Sequence, residues 1–195
     1  MQPAALLEAA AHGRLPSWAV VGDRRLAHMR RVSDLLGEWA DRLDLSRAEG
    51  MRWRAAGYLH DALREASHDE LRMLVPDPLK GLAGKLLHGP AAAARLRADG
   101  VEDEDFLRAI ACHTIGHPEL DDLGRALFIA DYIEPGRRYD PDGLAVLRAR
   151  MPAARDAVLL DVLRARLGRL LRDGRPMRPE TVAFWNVVNG APAHV

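Results

Sequence analysis

Apolar residues recur along this chain at steps of three and four, and no long run alternates with the period of two that a β-strand would need. With Ala, Leu, Arg and Glu dominant, the pattern predicts an all-α fold, a helical bundle. Residues 4–12 read as a short helix stopped by Gly13, with Pro16 in the loop beyond. A longer helix is predicted from Asp23 to Leu43, with the stripe Leu26, Met29, Val32, Leu36, Trp39 and Leu43. His28 lies at the edge of that stripe, and Arg25, one turn earlier, projects on roughly the same side.

Ser46-Arg47-Ala48-Glu49 has the form of a capping box and opens a helix through Met51, Ala55, Ala56 and Leu59. Its small residues permit close packing, and it delivers His60-Asp61 at its carboxyl end. Residues 68–74 give a short helix closed by Pro76 and Pro78, with His68 solvated at its start. Pro90 suits a first helical turn, so an alanine-rich helix is predicted to begin there and to reach Ala98. That would place His88 just ahead of a helix amino terminus, where backbone N–H groups favour anions.

A helix from Glu102 to His113 puts Phe106, Ile110 and His113 on one buried face. From Asp121 another carries Leu123, Leu127 and Ala130 inward, and Asp131 follows on the same side, where a carboxylate needs a partner. The last third predicts a helix from Met151 to Leu171, a turn at 174–176 and a final helix from Pro179 to Val188. In that final helix Phe184, Trp185, Val187 and Val188 read as core, with a homodimer interface as the alternative. No linker or repeat divides residues 1–195, which are read as one domain.

Composition narrows the function. Hydrophobic residues make up 48% and charged residues 29%, a globular balance. Formal net charge is +0, so no global field draws in nucleic acid or an acidic membrane, and an anionic ligand would need a local arginine cluster. No apolar run approaches the ~20 residues of a membrane span, and the amino terminus lacks the pattern of a signal peptide. A cytoplasmic location is the expectation. The single cysteine, Cys112, reads as a small hydrophobe rather than a nucleophile.

The candidate chemistry lies in His28, His60, Asp61, His88, His113 and Asp131, each at a helix end or the edge of an apolar face. Adjacent helical residues diverge by about 100°, so His60 and Asp61 meet at one ion only if the helix stops there. Imidazole with carboxylate suits Fe, Mn, Co or Zn. The absence of a cysteine cluster argues against structural zinc.

The order His, His-Asp, then a later Asp resembles the HD-domain superfamily of metal-dependent phosphohydrolases. Tyr58-Leu59-His60-Asp61-Ala62, Leu86-Leu87-His88-Gly89-Pro90, His113-Thr114-Ile115-Gly116 and the stretch from Ile129 through Asp131 and Glu134 to Arg137 resemble the YqeK family in particular. Its members are symmetrical bis(5′-nucleosyl)-tetraphosphatases. The resemblance implies a divalent transition metal, iron first, as one or two ions. His28, His60, Asp61 and Asp131 would hold it, and His88 and His113 would bind phosphate or a second metal. It also implies nucleotide contacts from Arg25, Arg64, Thr114 and Arg137, and a closing loop made of Gly174, Arg175, Pro176, Met177, Arg178 and Pro179.

In the reaction so implied, a metal-activated water attacks an inner phosphorus of diadenosine tetraphosphate and two ADP leave. Asp61 would be essential, and His88 or His113 would serve the leaving group. Departures from the family lie outside the expected ligands. Arg64 stands where Lys is frequent, Ile115 replaces a Thr, His117 an Arg, and Ala91-Ala92 a Val-Gly pair. These leave open a phosphohydrolase for another nucleotide, such as a dNTP or guanosine alarmone, or a non-catalytic nucleotide-binding module.

Overall fold

The computed structural model describes residues 2–190. Among them the helices are α1 (Pro3–Ala11), α2 (Asp23–Arg42), α3 (Arg47–Leu59), α4 (His68–Leu74), α5 (Gly84–Ala98), α6 (Glu104–Cys112), α7 (Asp122–Ile133), α8 (Pro141–Arg150), α9 (Arg155–Arg172) and α10 (Pro179–Val188). A 3₁₀ turn at Asp77–Leu79 links α4 to α5. The all-α expectation is met.

Side-chain caps set several starts. Asp103, Asp121 and Asp140 accept from the backbone N–H three residues on, at the heads of α6, α7 and α8. At α3 only half of the predicted box forms. Ser46 Oγ accepts from the Glu49 N–H at 3.2 Å, while the Glu49 carboxylate turns to Arg52 instead. The complete reciprocal box belongs to Ser67 and Glu70 at the start of α4.

Three expectations are corrected. First, α5 begins at Gly84, so Pro90 lies inside it and His88 sits in its second turn rather than before its amino terminus. Pro90 deprives only the Leu86 carbonyl of its helical donor, and burial of Leu87, Ala91, Ala92 and Leu96 holds the helix together. The anion-binding argument for His88 therefore lapses. Second, Pro141–Arg150 forms a helix where none was predicted, and α9 starts at Arg155 rather than Met151. Met151 precedes Pro152, which disfavours helical backbone, and its ψ of 148° is extended. Third, Leu26 and Leu43, at the two ends of the α2 stripe, are exposed, while Met29, Val32, Leu36 and Trp39 between them are buried.

Helix α7 lies at the centre and packs against α2, α3, α6, α8 and α9. Around it, α1 covers α3, α4 covers α5, and α10 lies on α9. Two glycines permit the closest approaches. A Cβ at Gly57 would overlap the Ser33 backbone, so α3 presses directly on α2 there. At Gly89 a Cβ would stand 2.8 Å from the Ala111 carbonyl oxygen, which brings α5 onto α6. In the last helix Phe184 is core, whereas Trp185, Val187 and Val188 are half-buried. No helix among the described residues is long and apolar enough to cross a membrane.

Candidate metal centre

Because α3 ends at Leu59, His60 caps it and the chain turns at once. The His60 ring folds back so that Nδ1 lies 2.9 Å from the Gly57 carbonyl. The turn swings Asp61 to the same side, with Oδ2 at 3.4 Å from His60 Nε2. The adjacent pair thus converges as the end of the helix allows. His28, on α2, places Nε2 3.3 Å from His60 Nε2, 3.5 Å from Asp61 Oδ2 and 3.2 Å from Asp131 Oδ1 on α7.

On the other side, His88 from α5 and His113 at the end of α6 approach Asp61 Oδ1 at 2.9 and 3.6 Å. Asp61 therefore stands between two groups of imidazoles. All four histidines and Asp61 are buried. Two overlapping triads, His28–His60–Asp131 and His60–Asp61–His113, each bring three ligand atoms within 4.8 Å of one another.

Glu134, Arg31 and Arg166 brace the centre, a role that sequence reasoning missed. Glu134, only 2% exposed, meets His28 Nδ1 at 3.2 Å and accepts from Arg31 and from the Gly136 N–H. Arg166 of α9 donates to Asp131 Oδ2 at 3.0 Å, to the Thr114 carbonyl at 2.9 Å and to the Phe128 carbonyl at 3.2 Å. Its guanidinium lies 4.2 Å over the Phe128 ring. Glu134 had a signal, since it follows Asp131 by three residues, close to the same face. Arg166 had none, being one of several arginines on α9 that read as a solvated face.

The donor set fits a divalent cation. His28 and His60 each spend Nδ1 on an acceptor, which leaves two Nε2 lone pairs 3.3 Å apart. Such a pair is stable only with positive charge between or beside it. Burial would raise the carboxyls of Asp61 and Asp131, but their imidazole and arginine partners hold both well below the usual carboxylate range. Burial lowers His60, and it pushes His88 down to about 4. In His28 burial is the largest single influence and lowers the ring, but Asp131 and Glu134 together outweigh it and the net shift is upward. Cys112, half-buried, has its thiol pushed up to about 11 by burial and offers no nucleophile.

The centre opens into a cleft of about 400 Å³. Arg25, Arg64, Thr114, Arg137, Arg175, Pro176 and Arg178, for which the resemblance implied nucleotide contacts, line it, and Lys85 and Arg169 add charge. Arg25 donates to Asp61 Oδ2 at 2.6 Å and Arg137 to Asp131 Oδ1 at 2.6 Å, so both are tied to carboxylates of the centre. Arg64 makes no ion pair among the described residues, and Thr114 Oγ1 lies 3.1 Å from His113 Nε2. The loop at 174–179 divides. Met177 turns into a neighbouring apolar groove with Leu171, Val182 and Trp185, and Gly174 and Pro179 line neither surface.

Residues 25–136 match the HD domain family. The symmetrical bis(5′-nucleosyl)-tetraphosphatase of Halalkalibacterium halodurans is 30% identical over 165 residues, covering 80% of this chain and 87% of that protein. The Bacillus subtilis protein of the same name is 27% identical over 176 residues, covering 87% and 92%. Among solved structures, a predicted HD superfamily hydrolase involved in NAD metabolism from Clostridium acetobutylicum superposes with a TM-score of 0.75 at 26% identity, covering 87% of this chain and 90% of that one.

Proposed function

The chain belongs to the HD-domain family, among the symmetrical bis(5′-nucleosyl)-tetraphosphatases, and we propose that it hydrolyses diadenosine tetraphosphate to two ADP. The observation that supports this reading is the gathering of His60 Nε2, Asp61 Oδ2 and Asp131 Oδ1 within 3.5 Å of His28 Nε2, at the foot of a cation-lined cleft. These residues would hold a divalent transition metal; the mix of imidazole and carboxylate suits Fe, Mn, Co or Zn alike, and the family resemblance puts iron first. The two triads support one or two ions. When bound, the metal supplies charge neutralisation on the phosphoryl oxygens and a water of lowered pKa.

The chain's own residues do the rest. Arg64 and Lys85 bring uncommitted positive charge to a polyphosphate, and Arg25 and Arg137 stand where they can share theirs between the carboxylates and the substrate. Arg175 and Arg178 carry the charge onto the loop at 174–179, which we read as the nucleoside side of the cleft. Apolar walls from Ile115, Phe128, Leu163 and Leu167 limit water around the reacting phosphates. We further read residues 1–195 as one HD-type unit. Supporting this, α1 packs on α3, and α8 and α9 on α7, from outside the matched segment.

Product chromatography with diadenosine tetraphosphate, alongside metal analysis of the purified protein, tests the reading. Two ADP per substrate are expected, and Asp61→Ala should lose bound metal and turnover together. ATP plus AMP as products, or full turnover by a metal-replete Asp61→Ala, would sink it.

A further inference from the structure

Besides the histidines, three aromatic rings line the cleft: Phe128, Tyr132 and Tyr139. The first two are already covered. The Arg166 guanidinium lies 4.2 Å over Phe128, and Phe184 meets that ring edge-on at 5.4 Å. The same guanidinium stands 5.3 Å from the Tyr132 ring, on which Tyr139 packs at 5.4 Å and an angle of 57°. Tyr139 has Tyr132 as its one ring neighbour among the described residues, and it is 42% exposed. Of the large hydrophobic side chains that the described residues leave exposed, it alone lines the cleft.

The hydroxyl of Tyr139 is committed elsewhere. It donates to the Tyr132 carbonyl at 2.8 Å, near the carboxyl end of α7, and so pins the ring in place. Burial pushes that hydroxyl up to about 12, which keeps the ring neutral beside anionic phosphates. What remains for a ligand is the face of the ring. The loop that carries it runs outward from the centre. Glu134 is 2% exposed against His28, the Arg137 side chain is 28% exposed against Asp131, and Tyr139 stands at the mouth. From Arg137 to Tyr139 the backbone spans at most about 7 Å. A diphosphate held at Arg137 therefore brings its nucleoside within reach of Tyr139. Leu163, Leu167 and Leu170, at steps of four and three along α9, give that part of the cleft an apolar wall.

Resting on the functional reading above, we propose that Tyr139 is the nucleobase-binding residue, its free face stacking on the purine of the ADP half held at Arg137. Stacking requires only a π-face, so this contact secures a nucleoside without choosing between purines. Tyr139 lies beyond the segment that matches the HD family, which ends at residue 136. The matched segment carries the centre, and Tyr139 adds the preference for a nucleotide over a bare polyphosphate.

The test compares ADP with inorganic pyrophosphate, which lacks the nucleoside, by calorimetry on the full chain and on Tyr139→Ala and Tyr139→Phe. Tyr139→Ala should weaken ADP binding by about 5- to 150-fold, as loss of one base–aromatic stack does, and leave pyrophosphate binding unchanged. KM for diadenosine tetraphosphate should rise by a comparable factor while kcat changes much less. Tyr139→Phe, which loses the bond to the Tyr132 carbonyl and keeps the ring, should retain both affinities. If circular dichroism shows Tyr139→Ala unfolded, Tyr139→Leu, which keeps apolar bulk without a π-face, takes its place. Unchanged ADP binding in the ring-less variant would overturn the proposal. So would equal loss of ADP and pyrophosphate, or a Tyr139→Phe as weak as Tyr139→Ala, since either marks a bracing role only. A wild type that shows the expected binding ratios yet releases no ADP from diadenosine tetraphosphate would overturn the functional reading alone. One that binds no ADP would overturn both.

Discussion

Glu134 does for His28 what backbone carbonyls do for His60 and His113: it fixes the proton on Nδ1 and aims Nε2. Glu134→Gln should weaken metal binding by about 10- to 100-fold, read by competition with a chelator. Burial alone would raise its carboxyl, but His28, Arg31 and the Gly136 N–H bring it down from 4.5 to about 2. A carboxyl lowered by folding contributes stability that is complete above its unfolded value and is lost as pH falls through its folded value. In metal-free protein the wild type should therefore lose stability between about pH 4.5 and pH 2, and Glu134→Gln should flatten that part of the acid-unfolding curve. At this scale the sequence displayed the residues that face the centre and hid those that brace them. His60 and Asp61 announce themselves as neighbours, whereas Glu134 acts on a histidine 106 positions away and Arg166 on an aspartate 35 positions away.

Among the elements, the contact of α3 with α2 governs the placing of His60. Gly57 both touches Ser33 and supplies the carbonyl that holds the His60 ring. Gly57→Ala should cost about 1–3 kcal/mol, as overpacked cores do, and should reduce metal content as well as the unfolding midpoint. A variant with unchanged metal content would show that the helix adjusts without moving His60. Helices with a regular apolar stripe, such as α2, α6 and α7, were legible almost to the residue. Those that depart from the prediction are α5, α8 and α9, where proline decides. Pro90 looks like a helix start yet lies inside one, Pro141 begins a helix that the pattern of apolar residues does not mark, and Pro152 delays α9 to Arg155. A missing N–H is a local fact; whether burial outweighs it depends on helices that the local sequence does not contain.

For the whole molecule, charge is balanced at +0 while the cleft gathers Arg25, Arg64, Lys85, Arg137, Arg175 and Arg178. Substrate capture should then depend on this local field and weaken as salt shortens its reach from about 10 Å at 0.1 M to about 3 Å at 1 M. The expected result is a KM that rises with salt and a kcat that changes much less; a salt-independent KM would deny the arginines that role. The cleft itself was foreseeable only as a list of cations, because the meeting of α5, α7, α9 and the loop at 174–179 is a property of the packed bundle. Arg166 ties that packing to the metal centre. The family match ends at residue 136, and α9 begins nineteen positions later, at Arg155. Yet one side chain of α9 satisfies a backbone carbonyl beside His113, another beneath Phe128, and the outward oxygen of Asp131. A chain cut before α9 would retain every letter of the signature and lose the brace that keeps its last aspartate in place. In this chain the stretch that matches the family is shorter than the stretch that holds the candidate centre together.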